Sequence, residues 1–275
     1  MTAHDIAALV LLGHPVQHSI SPAFQNAALR AAGIPLTYDA LDVEPGALGD
    51  RVRALVAQRA AGNVTIPHKA AVAEMCDMLT PVAQRAGAVN TFWVQQGALA
   101  GDNTDVAGFD HLARRVLGSI PLGARVAVLG AGGSARAVAV ALSSSNSQVT
   151  IYGRNAAKAH DVAMTSSSAW GTMPPPPGSW DLLVNCTPVG MYPKVDETPL
   201  EASHLTGAHV YDLIYNPTTT RLMREAAKKG LQAIGGLEML VAQACEQFEW
   251  WTGTKPPAGV MREAALKRLA EFMRQ

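Results

Sequence analysis

The chain of 275 residues is 48% hydrophobic and 16% charged, enough apolar material for a buried core and too long for one small domain, so two domains are expected. Its 22 Lys and Arg balance 22 Asp and Glu, which leaves no global field to draw nucleic acid or an anionic membrane, and any anion site must be local. Three cysteines without a CxxC pair fit neither a disulfide framework nor a zinc site and point to a reducing, cytoplasmic setting, and no apolar run approaches the roughly 20 residues that cross a bilayer.

The first half reads as alternating strands and helices. These are strand "ALVLLG", helix "PAFQNAALRAAG", strand "TYDALDV", helix "GALGDRVRALVAQ", strand "GNVTIP" and helix "KAAVAEMCDM". Such alternation predicts a mostly parallel sheet. In "VNTFWVQQGALAGDN" two strand-like pieces flank Gln96-Gly97, a hairpin signal, and this hairpin is expected to form the sheet edge.

A connecting helix, "VAGFDHLARRVL", leads to a second series. Strand "RVAVLG", helix "SARAVAVALSS", strand "QVTIYG", helix "NAAKAHDVAM" and strands "DLLVNCTP", "HVYDLIY" and "LQAIGG" predict a doubly wound unit. The Ser, Pro and Gly-rich stretch "SSSAWGTMPPPPGSW" is expected as an exposed loop with a polyproline II turn. Two amphipathic tail segments, "LEMLVAQACEQFEWWTG" and "VMREAALKRLAEFMR", fit no further strand–helix unit and are expected to return to the first lobe.

The glycines of "VLGAGGSARA" follow an apolar strand and precede a helix. Gly130 permits the tight turn, Gly132 lets a pyrophosphate approach the backbone, Gly133 completes the cluster ahead of the helix read from Ser134, and small Ala135 allows close helix–strand packing. Ser134 is expected to cap that helix, and Ala131 lies within the loop. An NAD site places Asp or Glu about 20 residues further on, at the end of the next strand. Here "GRNAAK" puts Arg154 there with Lys158 one turn later and no carboxylate, which suits the 2′-phosphate of NADP.

Polar residues gather where the first-lobe strands end. Ser19 and Ser21 of "HSISP" alternate before a helix, a place for a substrate carboxylate; for Ser21 alone, a helix N-cap is the simpler reading. Lys69 opens the helix after "NVTIPHK", and "GAVNT" and "GDNTDVAGF" supply Asn90 and Asp105. An amine and a carboxylate in one cleft handle a proton while a hydride moves. His18 and His68, beside Ser19 and Lys69, read as backbone supports. No metal-ligand spacing occurs.

The motifs "GHPVQHSISP", "GNVTIPHK", "GAVNT", "DNTDVAGF", "VLGAGGSARA", "NCTPVGM", "DLIYNPTTT" and "GLEMLVAQACEQFEWWTG" resemble, in order and over nearly the whole chain, those of the shikimate dehydrogenase family. The resemblance implies an α/β, two-domain fold. An N-terminal α/β substrate-binding lobe, residues 1–105 completed by C-terminal helices 238–275, would join a Rossmann-type doubly wound NADP-binding domain, residues 106–237. It also implies reversible reduction of 3-dehydroshikimate to shikimate by NADPH, in the pathway to aromatic amino acids and chorismate, by a monomer or homodimer. Residue by residue, Ser19 and Ser21 would hold the carboxylate, Asn63, Thr65, Asn90 and Gln243 the ring hydroxyls, and Lys69 with Asp105 would form the acid–base pair. Thr187, Met191, Leu213 and Gly236 would line the cofactor, and Tyr215 would close over substrate. The chain departs from many relatives at "GRNAAK", where a second arginine is common. The alternatives are a quinate/shikimate dehydrogenase using NAD and a non-catalytic dinucleotide-binding regulator on the same fold.

Overall fold

The computed structural model describes residues 6–117, 123–143 and 145–272; the ends of two predicted helices, at Ser144 and at 273–274, lie outside them. The chain divides into two compact units, Met1–Thr104 with Val241–Gln275, and Asp105–Leu240.

In the first unit β1 (Ala8–Gly13) is flanked in parallel by β2 (Tyr38–Asp42) and β3 (Ala60–Val64). The chain then turns back through β5 (Thr91–Gln95) and β6 (Ala98–Asp102), and β4 (Met78–Leu79) lies parallel to β6, giving the order β2-β1-β3-β5-β6-β4. Gln96 and Gly97 both have positive φ, as a two-residue hairpin turn between twisted strands requires. The expected edge is corrected. The hairpin pairs on both sides, and the rim is the two-residue β4, because Asp77 accepts the Leu99 N–H at 2.8 Å and draws the chain alongside β6. For the same reason α3 (Lys69–Met75) stops three residues before its predicted end.

Strand β1 buries both faces: Leu9 and Leu11 are buried on one, and on the other Val10 and Leu12 join a core with Val52 and Leu55 of α2 (Leu48–Ala57), Val72 of α3 and Phe92. Helix α1 (Ser21–Ala31) packs against α10 (Ala258–Phe272), whose Met261, Ala265 and Leu269 recur every four residues on one buried stripe. A helix the sequence reading omitted, α4 (Pro81–Ala86), starts on a Thr80 cap that accepts the Ala83 N–H and stops at Gly87 in the left-handed region.

The second unit opens with α5 (Thr104–Leu117), whose first residue still belongs to the first unit, and carries one wholly parallel sheet, ordered β12-β11-β10-β7-β8-β9. Its strands are β7 (Arg125–Leu129), β8 (Gln148–Gly153), β9 (Ala169–Thr172), β10 (Leu182–Asn185), β11 (His209–Asp212) and β12 (Gln232–Gly235). Val126 and Val128 face a core formed with α5, α6 (Gly133–Leu142) and α7 (Ala156–Met164), while Ala127 and Leu129 face Trp180, Leu205 and Leu222 of α8 (Arg221–Lys228). Helices on both faces explain why these strands read as unbroken apolar runs.

The exposed loop expected over 166–180 is corrected in part: Ala169–Thr172 forms β9, pairing in parallel with β8. Unpaired N–H and C=O groups on β8 recruit this segment. Gly171 fits because any Cβ there would meet the Tyr152 ring at 3.0 Å, and the Trp170 ring leans on His160. The prolines follow as irregular chain. Helix α8, also absent from the sequence reading, begins on a Thr220 cap. No helix among the described residues is long and apolar enough to cross a membrane.

Candidate active site

In the first unit, β5 runs antiparallel to β3 and β6, so the carboxyl ends of β1, β3 and β6 and the amino end of β5 share one rim. Ligands of open α/β sheets gather at such a rim. After β1 the chain carries Ser19 and Ser21. Ser21 is the first residue of α1 and not its N-cap; its N–H donates to Ser19 Oγ at 3.2 Å, so the pair is set together at the helix start. Gly13 admits Thr65, whose Cγ2 would lie 2.4 Å from any Cβ at that position. Lys69 opens α3, half-buried, and its carbonyl accepts the Val89 N–H at 2.9 Å, which ties it to the segment leading into Asn90.

Three predicted amide residues gather. Asn63, at the end of β3, donates from Nδ2 to the Asn90 backbone carbonyl at 3.1 Å, and the Asn90 side chain donates from Nδ2 to Gln243 Oε1 at 3.0 Å. Sequence reasoning missed the groups behind them. Tyr38 Oη donates to Asn63 Oδ1 at 2.6 Å, and the ring of Tyr38 lies against Trp251. Thr104 and Gln247 complete the cluster. Gln243, Gln247 and Trp251 stand four apart on α9 (Leu237–Thr252), hence on one helix face, a signal legible in the sequence. His68 is buried, with Nε2 2.6 Å from the Val43 carbonyl, which makes it a support between β2 and α3. His18 rests against the Phe272 ring.

Asp105 follows Thr104 in the chain and belongs to the second unit, 4% exposed in the first turn of α5.

The second unit's strand order reverses between β7 and β10, the switch point where doubly wound sheets bind dinucleotides. Gly130 (φ +110°) ends β7 there; a Cβ on it would meet Cys186 backbone and Thr187 Cγ2 at 3.2 Å, so it lets the loops after β7 and β10 touch. Gly132 is the N-cap of α6 with extended backbone, nothing within 4 Å of a Cβ, and no side-chain cap. The capping expected of Ser134 is therefore corrected, because the helix starts one residue earlier, at Gly133, which places Ser134 inside the first turn. The first-turn N–H groups, open ground above Gly132 and a fully buried Ala135 fit a dinucleotide pyrophosphate.

Gly153 brings the end of β8 beside that loop, since a Cβ there would lie 3.6 Å from the Ala131 Cβ. Exposed Arg154 and Lys158 follow, with Asn155 Oδ1 capping α7 by accepting the Lys158 N–H at 3.1 Å. Leu213 and Gly236 come together: a Cβ on Gly236 would fall 2.0 Å from the Leu213 carbonyl oxygen. Met191 is 38% exposed beyond Gly190, and the Asn216 carbonyl next to Tyr215 accepts the Tyr192 N–H at 2.9 Å, joining the two loops.

Beneath these loops lies a buried polar network that the sequence reading missed. Asp212 accepts from Thr220 Oγ1 (2.6 Å), Asn185 Nδ2 (2.9 Å) and the Ile214 N–H (3.2 Å). Asn185 Oδ1 in turn accepts the Thr187 N–H (3.0 Å) and hydroxyl (2.7 Å). Burial pushes the Asp212 carboxyl up to about 6 against the opposing pull of its three donors. Polar residues ending the apolar strands "LLVN" and "HVYD" were its visible trace.

Residues 11–92 match the model of the shikimate dehydrogenase substrate binding domain, and residues 236–266 that of the shikimate 5′-dehydrogenase C-terminal domain. The chain is 42% identical to a shikimate dehydrogenase (NADP⁺) of Methanopyrus kandleri, over 94% of each chain, and 43% identical to that of Symbiobacterium thermophilum, over 95% and 94%. A crystal structure of shikimate 5-dehydrogenase from Thermus thermophilus in complex with NADP(H) and shikimate superimposes with a TM-score of 0.84 at 38% identity, covering 96% of this chain and all of the other. With this identity spanning both units, the chain belongs to the shikimate dehydrogenase family.

Proposed function

We propose that the chain catalyses the reversible, NADP-dependent interconversion of shikimate and 3-dehydroshikimate. The observation that carries the reading is the amide cluster of Asn63, Asn90 and Gln243 on the first unit's strand rim, whose neutral donors and acceptors suit a small polyhydroxylated ring. Substrate binding is assigned to the first unit, with Ser19 and Ser21 at the carboxylate and Thr65 and the amides at the hydroxyls. NADP is assigned to the second, held by the Gly130–Ala135 turn, Arg154, Lys158, Thr187, Met191, Leu213 and Gly236, with Tyr215 covering the substrate. The likeness to NADP⁺ enzymes and the lack of a carboxylate after β8 support NADP over NAD. Three thiols without a disulfide support a reducing, cytoplasmic setting. Monomer and homodimer both accord with this reading.

When bound, NADP supplies the acceptor or donor of the hydride. The chain's own residues orient the ring and move the proton. In the oxidising direction the reacting hydroxyl loses its proton as its carbon loses hydride, and Lys69 Nζ with the Asp105 carboxylate takes up and passes on that proton. In reduction the same pair returns it.

Purified protein with shikimate or quinate, crossed with NADP⁺ or NAD⁺ and followed at the reduced-nicotinamide absorbance, tests the reading. Shikimate with NADP⁺ is expected to be turned over fastest, and a preference for quinate with NAD⁺ would overturn it. Lys69→Ala is expected to lose about 10² to 10⁴-fold in kcat with little change in KM, the usual contribution of a general acid–base group. A raised KM with unchanged kcat would make Lys69 a binding residue only.

A further inference from the structure

We propose that Gln247, acting through Thr104, is a positioning residue that holds the orientation of the Asn90 amide and thereby fixes which pole of the Gln243 amide meets the substrate; this rests on the reading of function above. Amide oxygen and nitrogen are nearly the same size, so a carboxamide's orientation is set by its partners and not by its shape. Here the assignment starts from a group that can only donate. The Thr104 backbone N–H donates to Asn90 Oδ1 at 2.8 Å, which makes Oδ1 the accepting end and Nδ2 the donating end. Gln243 Oε1, 3.0 Å from that Nδ2, must then accept, which leaves Gln243 Nε2 as the pole for a ligand oxygen.

The Thr104 hydroxyl completes the lock. Its oxygen accepts from Gln247 Nε2 at 2.7 Å and from Asn90 Nδ2 at 3.0 Å. With both lone pairs engaged, its single proton points to Asn90 Oδ1, 3.2 Å away. Gln247, Thr104 and Asn90 are 3%, 1% and 3% exposed, so water offers no easy replacement for a lost partner and each bond counts for more than at the surface. Removing the Gln247 donor frees one lone pair of the hydroxyl. The proton can then rotate off Asn90, and the orientation passed to Gln243 weakens. Because Gln243 and Gln247 are one turn apart on α9, the same helix face carries both the ligand-facing amide and its support.

Steady-state kinetics of the full-length chain with shikimate and NADP⁺, alongside thermal unfolding, tests the proposal. Gln247→Leu and Thr104→Val are expected to raise the shikimate KM about tenfold, the worth of roughly one hydrogen bond, with the NADP⁺ KM within about twofold of wild type. Gln247→Glu, whose carboxylate only accepts and so draws the Thr104 proton away from Asn90, is expected to act in the same direction. Thr104→Ser retains the hydroxyl and is expected to keep the wild-type KM. A merely structural role would lower the unfolding midpoint without separating the two KM values. A folded Gln247→Leu or Gln247→Glu protein with wild-type shikimate KM would overturn the proposal, as would Thr104→Ser behaving like Thr104→Val. Should Thr104→Val fail to fold, the two Gln247 variants decide the matter. A wild-type protein inactive on shikimate would overturn the functional reading and this proposal with it, whereas an active wild type with unaffected variants overturns this proposal alone.

Discussion

Gly132→Ala separates a glycine kept for the fold from one kept for a ligand. Gly132 caps α6 at φ −106° and ψ −172°, backbone that alanine adopts freely, and no protein atom lies within 4 Å of the Cβ that would be added. Two small stability terms oppose each other. Alanine is a poorer N-cap than glycine by roughly 0.5–1 kcal/mol, while removing a glycine lowers the unfolded chain's entropy and returns about 0.4–1 kcal/mol. The net change is expected within about 0.5 kcal/mol, a shift of a degree or two in the unfolding midpoint for a chain of this size. Binding has no such compensation. A methyl group over the turn keeps a pyrophosphate from the first-turn N–H groups, and losing one charge-assisted bond of about 1.5–3 kcal/mol weakens NADP⁺ by roughly 10 to 150-fold. Isothermal titration with NADP⁺ and differential scanning calorimetry measure the two effects separately. Unchanged NADP⁺ affinity in a folded Gly132→Ala protein would refute the placement of the pyrophosphate. Gly130→Ala supplies the contrast: at φ +110°, with Cys186 backbone 3.2 Å from the new Cβ, it should destabilise the protein whether or not ligand is present.

Two further outcomes follow from the second unit. Arg154→Ala should weaken NADP⁺ by about tenfold, the low end for a charge-assisted bond because the site is exposed and Lys158 remains, and the loss should shrink in high salt. NAD⁺ should barely respond, and equal losses for both cofactors in fluorescence titrations would show that Arg154 does not bind the 2′-phosphate. Asp212, raised to about 6 from 3.8, holds in the native state a proton that the unfolded chain releases earlier. The associated stability is present below about pH 4 and lost as pH rises through about 6, on the order of 3 kcal/mol in all. Asp212→Asn keeps that position neutral, so urea denaturation should show its stability rising relative to wild type between about pH 4 and 7, and parallel curves would refute the shift.

Local order along the chain settled the second unit's sheet and its turn. Apolar runs buried on both faces, the glycine spacing after β7 and the small residues opening α6 are local properties, and they carry the doubly wound topology and the glycine turn after β7. The residue types on the first rim were equally visible, because Ser21, Lys69 and Asn90 stand where strands and helices change over. What sequence could not supply was partnership across distance. Strand β9 exists because β8 offers it unpaired backbone groups, not because "AWGT" prefers to be extended. The start of α6 moved by one residue because backbone geometry, and not the serine hydroxyl, ends the turn. Asn90 and Gln243 are 153 positions apart, and Gln247 and Thr104 are 143 apart, yet each pair is one hydrogen bond wide. Hydrogen-bond polarity belongs to the whole network and not to any residue in it. Only the tertiary structure, by bringing a backbone N–H to Asn90, decided which end of each amide is the donor.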